Sequence, residues 1–140
     1  MLVTIRISPN GDPTSRIWLS TNNDGSNVDL WSSIDNNQRW VIYNYGSYAN
    51  IRISPNAAPT SRVWLSTNSD GSNVDLWTTP AFTPKNQDWI IYDHGTYAYI
   101  RISPNGAPTS RIWLSTTPDG SNVDLWSAKQ GNQQWIIACI

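Results

Sequence analysis

The chain has 140 residues, enough for one hydrophobic core and too few for two. Its formal net charge is −1 and 14% of residues are charged, so a nucleic-acid partner would find no electrostatic support. A single cysteine, Cys139, excludes an intrachain disulfide, and no apolar run approaches membrane-spanning length. Tryptophan is the anomaly, with nine residues against one phenylalanine. Indole is bulky and its N–H wants a partner, so a core alone rarely needs that many. Flat aromatic faces also stack on ligands.

In the first apolar run, Ile5 and Ile7 share a face and Arg6 opposes them. PNGDPTS follows, where two prolines and an asparagine forbid continuous regular structure. In the second run Ile17 and Leu19 point one way, and Arg16, Trp18 and Ser20 the other. Asp24-Gly25 is a strong hairpin signal, because glycine accepts the positive φ of the turn. In the third run Val28 and Leu30 form the apolar pair, which puts Asp29 and Trp31 together on the opposite, polar face. In the fourth, Trp40 and Ile42 alternate with Val41 and Tyr43, a pattern that predicts burial on both sides.

The pattern then repeats. Ile5 to Trp31, Ile51 to Trp77 and Ile100 to Trp126 all fit IRISPNxxPTSRxWLSTxxDGSNVDLW, with 22 of 27 positions identical in all three. Each copy runs on to an echo: NQRW at Asn37–Trp40, NQDW at Asn86–Trp89 and NQQW at Asn132–Trp135. The second copy predicts strands at Ala49–Ser54, Arg62–Thr67, Asn73–Thr78 and Trp89–Tyr92, and no window shows helical periodicity. Four strands in three copies make a twelve-stranded, all-β chain. It reads as one domain, 1–140, with repeats at approximately 1–46, 47–95 and 96–140. The last run, Ile136–Ile140, stands where the other copies lead straight into the next first strand. The termini are therefore expected to meet and close a three-fold ring. Ile5, Ile7, Leu19, Val28, Leu30 and their copies are the expected core. A surface site belonging to one copy would exist up to three times.

The words VDLW…NQRW, VDLW…NQDW and VDLW…NQQW, in register on this period, resemble the ricin B-type β-trefoil lectins, the (QxW)3 family. The resemblance covers effectively the whole chain. It implies a β-trefoil with pseudo-three-fold symmetry and a carbohydrate-binding function. It also implies that Trp40, Trp89 and Trp135, with Gln38, Gln87 and Gln133, are scaffold. Beside them it implies a sugar pocket of three parts. Trp31, Trp77 and Trp126 are the aromatic platform, and Asp29, Asp75 and Asp124 are the polar residues two positions earlier. Asn37, Asn86 and Asn132 complete the set.

The residues argue the same way independently. A pyranose has an apolar C–H face that stacks on indole, and its hydroxyls take charge-assisted bonds from a carboxylate. An Asn amide supplies a donor and an acceptor. The structural alternatives are a solubilising charge for Asp29 and a packing role for Trp31.

There are departures from the family pattern. Many members carry an Asp in the second strand, in a stretch like CLDV. Here the stretch is WLST, with Ser20, Ser66 and Ser115 at that place, which removes the carboxylate tied to galactose preference. Asp29, Asp75 and Asp124 are the candidates to replace it, whereas Asp24, Asp70 and Asp119 read as turn residues. Trp18, Trp64 and Trp113 have no counterpart in the family. Sharing a face with Arg16, Arg62 and Arg111, they are expected to stack on the guanidinium groups; a second pocket wall is the alternative. The copies also differ in length. Trp31 to Trp40 and Trp126 to Trp135 span nine residues, but Trp77 to Trp89 spans twelve. Pro80 and Pro84 would stiffen the longer loop and Phe82 would cover or extend the site, so the middle pocket is expected to differ.

No catalytic constellation emerges, and the expectation is a non-enzyme without cofactor or metal. His94 stands alone on a DHG turn and reads as solvated. Cys139, on a terminal apolar strand, reads as a small buried hydrophobe. The expected partners are glycans of glycoproteins or glycolipids, galactose/GalNAc-type or other, with no nucleic acid and no membrane insertion. A monomer or weak homodimer is expected. The rivals are a β-trefoil protease inhibitor, a toxin's targeting module and a designed symmetric scaffold. MLVTIRISPN has no apolar signal-peptide core, which points to a cytoplasmic or non-classically exported protein.

Overall fold

The structure is a computed structural model that describes residues 2–78 and 85–140. The readings placed on Pro80, Phe82 and Pro84 lie outside the described residues. The first repeat forms β1 (Leu2–Ile7), β2 (Trp18–Thr21), β3 (Val28–Trp31) and β4 (Trp40–Asn44). The second forms β5 (Ala49–Ile53), β6 (Trp64–Thr67), β7 (Val74–Trp77) and β8 (Trp89–Asp93). The third forms β9 (Ala98–Ile102), β10 (Trp113–Thr116), β11 (Val123–Trp126) and β12 (Trp135–Cys139). Each strand falls on an alternating or β-branched run, bounded by the Pro- and Gly-containing segments that cannot extend it.

Six strands close on themselves. β1 pairs β4 and β12, β5 pairs β4 and β8, and β9 pairs β8 and β12, all antiparallel. The remaining six form the hairpins β2–β3, β6–β7 and β10–β11, whose second strands meet one another around the three-fold axis. The fold is a β-trefoil. The termini meet as expected. Val3 to Ile7 pair with Cys139 to Trp135, and the Ile140 N–H donates to the Leu2 carbonyl at 3.1 Å.

The core is the aliphatic set read from alternation. Ile5, Ile7, Leu19, Val28, Leu30 and their counterparts in the other repeats are all fully buried. Trp40, Trp89 and Trp135 join them there. Each indole N–H donates to a β2-type carbonyl, that of Leu19, Leu65 or Leu114, at 2.9, 3.0 and 2.9 Å. A large apolar ring is thus buried without stranding its one polar atom. In the fourth strand Trp40 is buried while Val41 and Ile42 are half-buried, so both faces contribute.

The Asp-Gly turns do more than reverse the chain. Gly25, Gly71 and Gly120 have φ of +76°, +78° and +76°. Their carbonyls accept from Leu76, Leu125 and Leu30, each on the third strand of the next repeat around the ring, at 2.9 Å. A Cβ on Gly25 would stand 2.5 Å from the Arg62 carbonyl oxygen, so neither the conformation nor the space admits another residue. Asp24, Asp70 and Asp119 cap these turns by accepting the N–H of Ser26, Ser72 and Ser121 at 2.9 Å. Hydrogen bonding to the side chains and then the backbone N–H groups of these serines holds their carboxyl pKa values below the ordinary one.

One expectation is corrected. Cys139 is exposed, because it lies at the end of β12 where the strand leaves the core; Ile140 beyond it is 63% exposed. Short 3-10 turns form at Asn36–Gln38 and Gly131–Gln133. His94 is exposed as expected and stacks on Tyr97, ring centroids 5.5 Å apart.

Candidate functional site

VDLW alternates around a hydrogen-bonded ladder, and the register fixes its neighbours. Asp29 lies opposite Ser20 and Trp31 opposite Trp18, and the same pairs recur as Asp75–Ser66, Trp77–Trp64, Asp124–Ser115 and Trp126–Trp113. Val28 and Leu30 are buried, Asp29 is half-buried, and Trp31 is 46% exposed. Trp77 and Trp126 are equally open, at 47% and 48%. Each repeat therefore presents an open indole beside a carboxylate.

An arginine binds the two together. Arg16 Nη2 donates to Asp29 Oδ2 at 2.9 Å, and its Nε donates to the Leu30 carbonyl at 2.8 Å. The guanidinium lies 5.3 Å from the centre of the Trp31 ring. Arg62 and Arg111 repeat the arrangement on Asp75–Trp77 and Asp124–Trp126 with the same ion-pair length. Stacking of these arginines on Trp18, Trp64 and Trp113 is therefore corrected. The β2–β3 ladder ends at Trp18–Trp31, so Arg16 lies past it and folds back over Trp31. The cation on Trp18 is its cross-strand partner Arg6, at 5.6 Å, with Arg52 and Arg101 serving Trp64 and Trp113.

Burial of Asp29, Asp75 and Asp124 raises their carboxyl pKa above the ordinary value, and the paired arginine offsets only part of that. The result is a fixed, partly desolvated acceptor next to an aromatic face.

The Gln-x-Trp segment forms the back of the site. Gln38 Nε2 donates to the Ser20 hydroxyl at 2.8 Å, and its Oε1 accepts the Asp35 N–H. Gln133 does the same with Ser115 and Gln130, and Gln87 donates to Ser66. The serines that stand where a carboxylate was looked for are thus buried anchors for these glutamines.

The asparagines tie neighbouring repeats. Asn37 Oδ1 accepts the Ala58 N–H at 2.9 Å, Asn86 Oδ1 that of Ala107 at 2.8 Å, and Asn132 Oδ1 that of Asp12 at 2.7 Å. Asn37 Nδ2 also donates to the Thr21 carbonyl and to Asn23. The PNxxP loop of the next repeat is thereby pulled against the site, and this the sequence reading missed. The signal that could have found it is ring closure itself, which makes every repeat's edge the wall of its neighbour.

Two clefts result. One, of about 680 Å³, is lined by Ser20, Asp29, Trp31 and Asn37 together with Asn56 and Ala58 of the second repeat. The other, of about 500 Å³, is lined by Ser115, Asp124, Trp126 and Asn132 together with Asn10 and Asp12 of the first. Both are in the size range of small-molecule sites. Asp75, Trp77 and Asn86 hold matching positions beside the segment that is not described.

No protein-family model matches this sequence, and no curated protein matches it by sequence. Solved structures match it over nearly its whole length, and they are β-trefoils. The designed three-fold symmetric protein ThreeFoil is 25% identical, with 99% of each chain covered and a TM-score of 0.72. SeviL, in its structure bound to asialo-GM1 saccharide, is 14% identical, with 97% of this chain and 94% of that one covered and a TM-score of 0.67. The GlcNAcα1-4Gal-releasing endo-β-galactosidase from Clostridium perfringens is 11% identical, with a TM-score of 0.74; the match covers 99% of this chain and 32% of that one.

Proposed function

We propose that this protein is a multivalent carbohydrate-binding lectin of the ricin B type, with up to three glycan sites and no catalytic activity. The observation that carries the reading is the open indole held beside a half-buried carboxylate by one arginine, in all three repeats. The indole offers a stacking face and the carboxylate an acceptor for sugar hydroxyls, while the buried Gln-x-Trp pair anchors the neighbouring strand through Ser20 and the Leu19 carbonyl. The likeness to SeviL, whose structure contains a saccharide, supports the same class. Each cleft is open and wet, so single-site affinity is modest, and three sites on one rigid body raise it on a clustered surface.

A glycan array on the intact chain tests the reading. Glycan binding, accompanied by a change in tryptophan emission and lost in the Asp29→Asn/Asp75→Asn/Asp124→Asn variant, is the expected result. A second reading, a symmetric scaffold without a glycan ligand, draws on the 22 identical positions per repeat and the likeness to ThreeFoil. A blank array would favour it, and tight protease inhibition would favour an inhibitor instead.

A further inference from the structure

The floors of the two clefts are the same, but their rims are not. In the loop that leads from the platform tryptophan to the Gln-x-Trp segment, the first repeat has Ile34 and Asp35, and the third has Lys129 and Gln130 at the same places. Asp35 lines the first cleft and Gln130 lines the other. Lys129 is exposed, and its ammonium rests 5.0 Å from the Trp113 ring and 5.4 Å from the Tyr99 ring. Trp113 is the cross-strand neighbour of the platform Trp126, on the same face of the hairpin. The cation therefore rests on two aromatic rings just outside the lining of the third-repeat cleft, on the hairpin face that carries the platform Trp126.

The rim segment of the first repeat has the opposite sign. Asp35 brings a carboxylate, and its neighbour Ile34 is an exposed apolar side chain, 38% accessible. Arg16 and Arg111 do not break the equality, because each is already paired with its own cleft's aspartate. The third-repeat cleft carries its additional carboxylate, Asp12, on the other wall. There it accepts from Asn132 Nδ2 at 3.0 Å, and Ala58 takes its place in the first cleft.

We infer that the two clefts hold the same kind of core sugar but discriminate in opposite senses at the 34–35/129–130 wall. The third-repeat cleft accepts a glycan whose core sugar carries an acidic substituent, a carboxylate or sulfate, directed at Lys129. The first cleft takes the neutral counterpart. Lys129 and Asp35 are the specificity-determining residues, and the protein bridges two different glycans. This rests on the lectin reading above.

The test uses full-length variants that keep one cleft each. Asp29→Asn/Asp75→Asn leaves the third-repeat cleft, and Asp75→Asn/Asp124→Asn leaves the first. Both are probed on an array pairing neutral oligosaccharides with their sialylated and sulfated forms. The ratio of acidic to neutral binding should be higher in the variant keeping the third-repeat cleft. The difference should be about two- to fivefold, the scale of an exposed ion pair, and should shrink as salt is added. Grafting Lys129→Ile/Gln130→Asp onto it should lower the ratio to that of the first cleft, with a thermal melt verifying the fold. Lys129→Gln alone should move it part of the way. Equal ratios in the two single-cleft variants, or a folded graft that leaves the ratio unchanged, would overturn the inference. Failure of the parent chain to bind either class would instead remove the lectin reading on which it stands.

Discussion

Arg16 donates to Asp29 across 2.9 Å while its guanidinium lies over Trp31, so one side chain fixes both halves of the site. On the proposed lectin reading, this arrangement makes binding pH-dependent in a definite direction. Burial raises the Asp29 pKa, and the ionised carboxylate, the proposed acceptor for sugar hydroxyls, is lost as pH falls through that raised value. Glycan affinity should therefore begin to fall at a higher pH than an ordinary aspartate would allow, and calorimetric titration across mildly acidic pH would reveal it.

The same shift predicts stability with the opposite sign. A folded-state pKa above the unfolded one means that the native protein holds the proton more tightly. Ionised Asp29, Asp75 and Asp124 thus oppose folding at neutral pH, and the penalty is relieved as pH falls through the folded and then the unfolded value. Asp24, Asp70 and Asp119 act the other way, because their pKa values are lowered and their support is lost on acidification. Replacing the first three by Asn should leave neutral-pH stability within about 1 kcal/mol of the parent, since the partly exposed ion pairs contribute little. The variant should lose more stability than the parent on acidification, measured by denaturant midpoints at several pH values.

Gly120 belongs to the third repeat by sequence but contacts the first in space. Its carbonyl accepts from Leu30, and a Cβ there would stand 2.7 Å from the Arg16 carbonyl oxygen. Gly120→Ala should destabilise the chain by at least the roughly 1–2 kcal/mol of a left-handed alanine. It should also weaken the site of Asp29 more than that of Asp124. Binding to single-cleft variants carrying the change would show which repeat suffers, and damage confined to Asp124 would contradict the cyclic coupling.

The asparagines, candidate sugar ligands, also accept a backbone N–H of the next repeat at their side-chain carbonyls. Asn132→Ala should leave the Asp12 N–H without its acceptor and should lower stability by about 1 kcal/mol, the net worth of such a bond. Thermal melting without any glycan measures this. An unchanged melt would return the residue to a purely ligand-facing role.

Much of this was legible because the strands are short and their pattern has period two. Val28 and Leu30 could only face the core if Asp29 and Trp31 faced away, and the repeat made the inference three times over. Ring closure was legible from the ends, where Ile136–Ile140 replaces a junction. What the alternation could not reveal lies past the strand ends. Arg16 is two residues beyond the ladder, so periodicity assigns it a face while its side chain folds back to Trp31. Cys139 is exposed for the same reason, since apolar neighbours do not guarantee depth at a strand terminus. The inter-repeat walls, Asn56 with Ala58 and Asn10 with Asp12, require knowing which repeat follows which in space.

The sharpest separation of scaffold from site comes from two tryptophans in the same repeat. Trp40 is fully buried and its N–H bonds to Leu19, whereas Trp31 is nearly half exposed and lines the cleft. Trp40→Ala removes a large ring from the core and strands the Leu19 carbonyl, so the loss of stability should be about 3–5 kcal/mol. Trp31→Ala removes mainly exposed surface and one cation–π contact, and its effect should be nearer 1 kcal/mol. Binding should respond in the reverse order. In an Asp75→Asn/Asp124→Asn background, Trp31→Ala should abolish glycan binding, while any folded Trp40→Ala protein should retain it. Chemical denaturation and calorimetry on the same two preparations decide the matter. Retained binding in the Trp31→Ala protein would mean that the open indole is not the platform.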